Sequence, residues 1–307
     1  MDNHLKAPVN AWLIYTAWIA LGCLFYLKPL KLLASYALSS ENASHVLAVP
    51  LIVAWLLYAD RGKLSSDCAF DFPLAMLFIV PAAFIWISSL WNFPAFLHAP
   101  VSLSILGLIL FLIAGFICIF GRKSAKSAWF SLAFLAFAIP LPETLLDRYI
   151  YLLQHGSAAV AEWIFDCTGV PVLREGFVFH LSGLSIEVAK ECSGIRSSIA
   201  LVILAVLVAH FAFAKFWRKA VFITAGLLMM AVKNGVRIAT LTILANYVDP
   251  DFLAGRLHRQ GGVVFFLFGL LLLWPVYWLL RRGEEHDPLN REIAGTDPKS
   301  RRPQSLD

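Results

Sequence analysis

From Val101 to Phe120 the chain reads VSLSILGLILFLIAGFICIF, twenty consecutive residues without a charge. A helix of that length crosses the ~30 Å hydrocarbon core of a bilayer. In lipid, only helices and closed barrels satisfy every backbone N–H and C=O. Seven more apolar runs of similar character lie at 11–27, 44–59, 73–91, 125–142, 194–214, 219–247 and 260–280. The second is short, and the fifth ends in AIPLPE, where Pro140 and Pro142 stop a helix. With 60% hydrophobic and only 15% charged residues, the chain is excluded from ordinary soluble domains. The predicted fold class is an all-α polytopic membrane protein of about eight transmembrane helices. The first run lacks a small-residue cleavage site and is read as a retained anchor.

Basic residues between the runs set the orientation. With the amino terminus inside, the inner loops hold Arg61, Lys63, Arg122, Lys123, Lys126, Lys215, Arg218, Lys219, Arg281 and Arg282. The outer short loops hold only Lys28, Lys31, Arg256 and Arg259. Ten against four places both termini in the cytoplasm. The net charge of +5 is thus a topology signal, and no basic face of the kind that binds nucleic acid is formed. One membrane domain is expected over 1–282, followed by a disordered cytoplasmic tail over 283–307, rich in charge and proline.

The connection over 143–193 is long and falls outside. Its first part, LLDRYIYLLQHGSAAVAEWIF, has apolar residues at helical spacing with Asp147, Arg148, Gln154 and Glu162 interspersed, as in a small helix lying at the interface. Its next part, GFVFHLSGLSIEV, reads as a β-hairpin turning at Ser182–Gly183. No repeat of helical blocks and no paired broken helices mark an inverted-repeat transporter.

The hairpin leads into VAKECSGIRSSIALVILAVLVAHF, which sets Glu191, Cys192, Ser193 and Arg196 at the outer start of the sixth span. A thiol at a helix start is favoured as thiolate by the N-terminal dipole. In the seventh span Arg237 stands eighteen residues beyond Lys219, roughly 27 Å along a helix, and so near the outer face. Lys233 and Asn234, one turn earlier, join Arg237 in a polar stripe. His258 lies in the outer loop DPDFLAGRLHRQGG ahead of the eighth span. Thiol, guanidinium and imidazole therefore reach one leaflet, and together they match acyl transfer. The thiolate attacks a carbonyl, the imidazole exchanges protons, and the permanently charged guanidinium stabilises the oxyanion or donates a proton to it. Each residue also has a plainer reading: a buried cysteine or a Cys167–Cys192 disulfide, a structural ion pair at Arg237, a solvated loop histidine. The five cysteines show no CxxC pair and no zinc spacing, so no metal and no cofactor is expected.

At these residues the chain resembles the exosortase/archaeosortase family of integral membrane cysteine transpeptidases. The resemblance is carried by ECSGIRS at 191–197, NGVRIATL at 234–241 and HRQGG at 258–262. Upstream, SHVLAVPLIVAWLLYADR at 44–61, PLPETLLDRYIYLLQ at 140–154 and GVPVLREGFVFHL at 169–181 match as well, so most of 40–270 is covered. The resemblance implies Cys192 as acyl-thioester nucleophile, with Arg237 and His258 completing the site and Glu191, Ser193, Arg196 and Asn234 supporting it. It implies substrates anchored in the cell membrane by a carboxy-terminal sorting signal: a short motif, often Pro-Glu-Pro, then a hydrophobic helix and a basic cluster. A lipid or glycan amine, or water, would resolve the intermediate. The competing classes are a transporter or polysaccharide-export component, in which Cys192 is incidental, and another membrane acyltransferase with a cysteine thioester.

Overall fold

Every apolar run is helical over most of its described length. The computed structural model describes residues 9–39, 45–64, 71–90, 100–188, 195–253 and 256–285. Among these, five helices are long and apolar enough to cross a bilayer, and seven spans result if each of two bent pairs counts as one. The apolar helix Ser197–Ala212 is shorter. The fold is all-α and polytopic, with one small sheet. The chain divides into two compact units, Met1–Asp147 and Arg148–Asp307.

The first unit holds α1 (Val9–Phe25), α2 (Leu27–Ser39), α3 (Ala48–Ala59), α4 (Phe72–Leu90), α5 (Pro100–Ser127) and α6 (Trp129–Phe134). Its centre is α5, whose Phe116 and Phe120 are fully buried. The Tyr15 ring meets Phe116 edge-on at 5.5 Å, and Trp12 lies 4.9 Å from Phe120. The helix α2 extends the first run, bent 80° from α1. Pro29 explains the bend: it lacks the N–H that would bond the Phe25 carbonyl, and Trp86 Nε1 donates to that oxygen instead, at 3.1 Å. Leu13, Leu24, Leu51, Trp55, Leu77 and Phe84 face outward, as lipid-facing positions do. A second bend of 90° separates α6 and its 3₁₀ extension from α7 (Glu143–Thr168) at the AIPLPE prolines. The Pro140 carbonyl is satisfied by the buried Ser102 hydroxyl at 2.7 Å.

The second unit holds α7 from Arg148 onward, the strands β1 (Leu173–Glu175), β2 (Val178–His180) and β3 (Ser185–Glu187), and the helices α8 (Ile195–Ala212), α9 (Phe216–Tyr247) and α10 (Arg256–Glu285). The expected interfacial helix is α7. Its buried positions Ile150, Leu153, Gln154, Ser157, Ala158, Ala161 and Phe165 form one stripe at helical spacing. The expected hairpin is β2–β3, closed by Leu181 N donating to Leu184 O at 2.8 Å. A third strand, β1, pairs with β2 through a two-residue loop in which Gly176 takes φ 62°, the left-handed conformation such loops require. At the far end of the bundle, orphan helix carbonyls take guanidinium partners: Arg281 donates to Ala212 O and Arg218 to Gly283 O, each at 2.8 Å. The helix α10 runs to Glu285 and takes in the first three residues of the expected tail, and 286–307 lie outside the described residues.

Candidate active site

The α9 helix is the element on which the second unit converges, and small residues let it do so. A Cβ on Gly235 would stand 2.6 Å from Val160 Cβ and 2.8 Å from the Ser157 carbonyl. Glycine at 235 is therefore what allows α7 and α9 to touch along their backbones. Beside that contact Asn234 Nδ2 donates to Ser157 Oγ at 3.0 Å. Asn234 Oδ1 remains a buried acceptor with no partner among the described residues.

The neighbouring Lys233 points elsewhere. Its ammonium donates to Ser197 Oγ in the first turn of α8, at 2.5 Å, and the residue is only 2% exposed. Its stem runs past Gly269 of α10, where a Cβ would meet Lys233 Cδ at 3.3 Å. Lys233 and Asn234 thus serve two interfaces about 100° apart around α9. The stripe read from the sequence serves two partners, Lys233 facing α8 and Asn234 facing α7.

Arg237, half-buried, stands one turn beyond Lys233. Because α8 and α9 run antiparallel through a short connection, the Lys233–Ser197 contact fixes their register. Arg237 then lies about 6 Å farther along the axis, at the end where α8 begins. Gly269 fixes α10 in the same way. Counting back from it, the backbone of His258 lies roughly 10 Å beyond the level of Arg237. His258 is in the first turn of α10 and not in a loop, because helical hydrogen bonding continues past the apolar run that marks the span. Nothing is described of its side chain, nor of that of Arg196 in the first turn of α8. Glu191, Cys192 and Ser193 lie outside the described residues.

The sheet is seated against this same end. Phe179 of β2 and Val188 are buried with Phe165 of α7 and with Ile238 and Ala239 of α9, the two residues after Arg237. Phe165 and Phe179 meet edge-on at 5.3 Å. Gln154 Nε2 donates to the Val188 carbonyl at 2.6 Å, fixing the strand end that leads toward Cys192. Arg174 of β1 reaches Glu162 of α7 at 2.6 Å. Three of these residues escaped the sequence reading as parts of a site: Gln154, Ser157 and Ser197. The available signal was a buried-side position, since Gln154 and Ser157 sit on the apolar stripe of α7.

Buried polar side chains inside a multi-pass helical bundle, here Lys233 and Asn234 of α9 near the level where α8 begins, mark a functional site. The family model of the transmembrane exosortases matches residues 33–275. The chain belongs to that family of membrane transpeptidases and proteases. Among curated proteins and among solved structures, none matches it.

Proposed function

We propose that the chain is a membrane-embedded cysteine protease or transpeptidase of the cell membrane. It cleaves the carboxy-terminal sorting signal of exported proteins through a thioester on Cys192 and transfers them to a cell-surface acceptor. The observation that carries this reading is the register of the bundle. Arg237 stands just beyond the level at which α8 starts, ten residues before α9 ends at Tyr247, and Cys192 precedes Ile195, the first residue of α8, by three positions.

In this reading the Cys192 thiolate, favoured by the dipole of α8, attacks the scissile carbonyl and forms the C–S bond. Arg237 stabilises the oxyanion. The C–N bond breaks as His258 passes a proton to the leaving amine, which departs with the substrate's membrane helix. An amine on a lipid or glycan, or water, then gives up a proton to the now neutral His258, attacks the thioester carbonyl and displaces the thiolate as the C–S bond breaks. Glu191, Ser193 and Arg196 shape the nucleophile's surroundings, and Asn234 ties α9 to α7.

The substrate's extended motif docks on the sheet. β3 pairs only with β2 among the described strands, and Val188 N donates to Phe177 O at 2.9 Å. By antiparallel alternation the backbone groups of Glu187 then point away from β2, toward an edge that can accept another strand. Glu187→Pro removes an edge donor and spares the β2–β3 ladder. Processing should fall about tenfold, as for a lost buried-interface hydrogen bond, with protein level unchanged on an immunoblot. Unaltered processing would leave the sheet as packing alone.

The site faces outward, and labelling tests this. Single cysteines placed at Ala95 or Ala254 should react with an impermeant thiol reagent from outside, and one at Lys126 should not. Lys126 is exposed, whereas the neighbouring Ser124 is fully buried and would be silent from either side. The reverse pattern would put the site in the cytoplasm.

A further inference from the structure

Lys233 has no part in the chemistry just described, yet it is the most buried charged side chain among the described residues. An ammonium enclosed within a membrane helix bundle is costly, and such groups are retained where they serve function. Its hydrogen-bond partner is the hydroxyl of Ser197, a neutral group, so this contact is not a structural ion pair. The contact joins the middle of α9 to the first turn of α8, five residues after Cys192. The stem reaches there because α10 offers Gly269 at the point of closest passage. A second cation, Arg237, follows one turn away on the same helix, and like charges at that spacing repel. Lys233 therefore also favours an Arg237 guanidinium directed toward the end of α9.

We propose that Lys233 is a positioning residue for the reaction. Its ammonium pins the first turn of α8 to α9 through Ser197, and so sets the nucleophile's segment against Arg237. The proposal rests on Cys192 as nucleophile, but it makes separate demands.

The test is steady-state processing of a sorting-signal substrate by the full-length protein in detergent, normalised to folded enzyme. Lys233→Met, which keeps the stem, and Ser197→Ala should each lower kcat about 10- to 100-fold, as expected for a charge-assisted hydrogen bond lost from the transition state. KM should stay within about twofold. The double variant should be no slower than the slower single one, because both remove the same contact. Gly269→Leu, which crowds the stem from α10 without removing a charge or a hydroxyl, should reproduce the loss. Gly269→Ala should not, since a flexible stem can shift by a few tenths of an ångström.

Full kcat per folded molecule in Lys233→Met overturns the proposal, even if yield drops, and so do losses that multiply in the double variant. If Lys233→Met fails to accumulate, Ser197→Ala and Gly269→Leu decide by the same criterion. A Cys192→Ala enzyme that still processes substrate would instead remove the thioester reading, whatever Lys233 does.

Discussion

Cys192→Ala is expected to abolish processing and leave the full-length precursor anchored in the membrane. In a covalent mechanism the thiolate is the atom that replaces the leaving amine at the carbonyl, so removing it closes the route. A loss on the order of 10⁴-fold or more is expected, by analogy with other acyl-transfer nucleophiles. The same substitution separates the competing classes. A transporter with an incidental cysteine keeps its transport, and a small apolar side chain at 192 would be tolerated as packing. The measurement is the ratio of cleaved to intact substrate in membranes that hold equal amounts of wild-type and variant protein. Ser at 192 is a useful companion. It keeps the shape and a nucleophilic oxygen, but a hydroxyl at a helix start stays protonated where a thiol ionises, so Cys192→Ser should be nearly as inactive.

Arg237→Lys is the second large effect. The substitution keeps the charge and most of the length but replaces a planar five-donor fork with a point charge on a flexible stem. Loss of one well-aimed oxyanion donor costs about 10²- to 10³-fold in kcat, and the lysine variant should fall in that range. It would also place a second ammonium one turn from Lys233, with no gain in directionality. Half-buried on α9, residue 237 has room for either side chain, so fold stability should change little. Normal kcat in Arg237→Lys would show that charge alone suffices there and that oxyanion geometry comes from elsewhere.

The parts of the molecule that were legible in the sequence are those set by local chemistry. Uncharged runs of about twenty residues can only be helices in lipid, and prolines at 140 and 142 predicted the break that the structure bends by 90°. The Ser182–Gly183 turn announced β2 and β3. The strand β1 did not stand out, because three residues, Leu173–Glu175, are too few for an alternating pattern. The Lys233–Ser197 contact was hidden for a different reason. Helical periodicity tells which residues share a face, but not which neighbouring helix covers that face. Lys233 and Asn234 looked like one stripe and proved to serve α8 and α7 separately. Glycines 235 and 269 gave the same kind of partial signal: their role depends on Val160 and Lys233 arriving opposite them. Antiparallel register sets the backbone of His258, in the first turn of α10, roughly 10 Å beyond the level of Arg237, whereas counting residues along the separate spans told only that both lie toward one leaflet.

The central claim is a peptide thioester on Cys192, and peptide-mass analysis of the acid-quenched enzyme addresses it most directly. Full-length wild-type protein is mixed with an excess of a substrate bearing a sorting signal, without an acceptor amine, quenched in acid within the first turnovers and digested. The account predicts that the peptide containing Cys192 gains the mass of the substrate segment ending at the cleavage site, and that neutral hydroxylamine removes this mass. A fatty-acyl mass on Cys192, or substrate cleaved with an unmodified Cys192 under conditions that trap the intermediate, would contradict it.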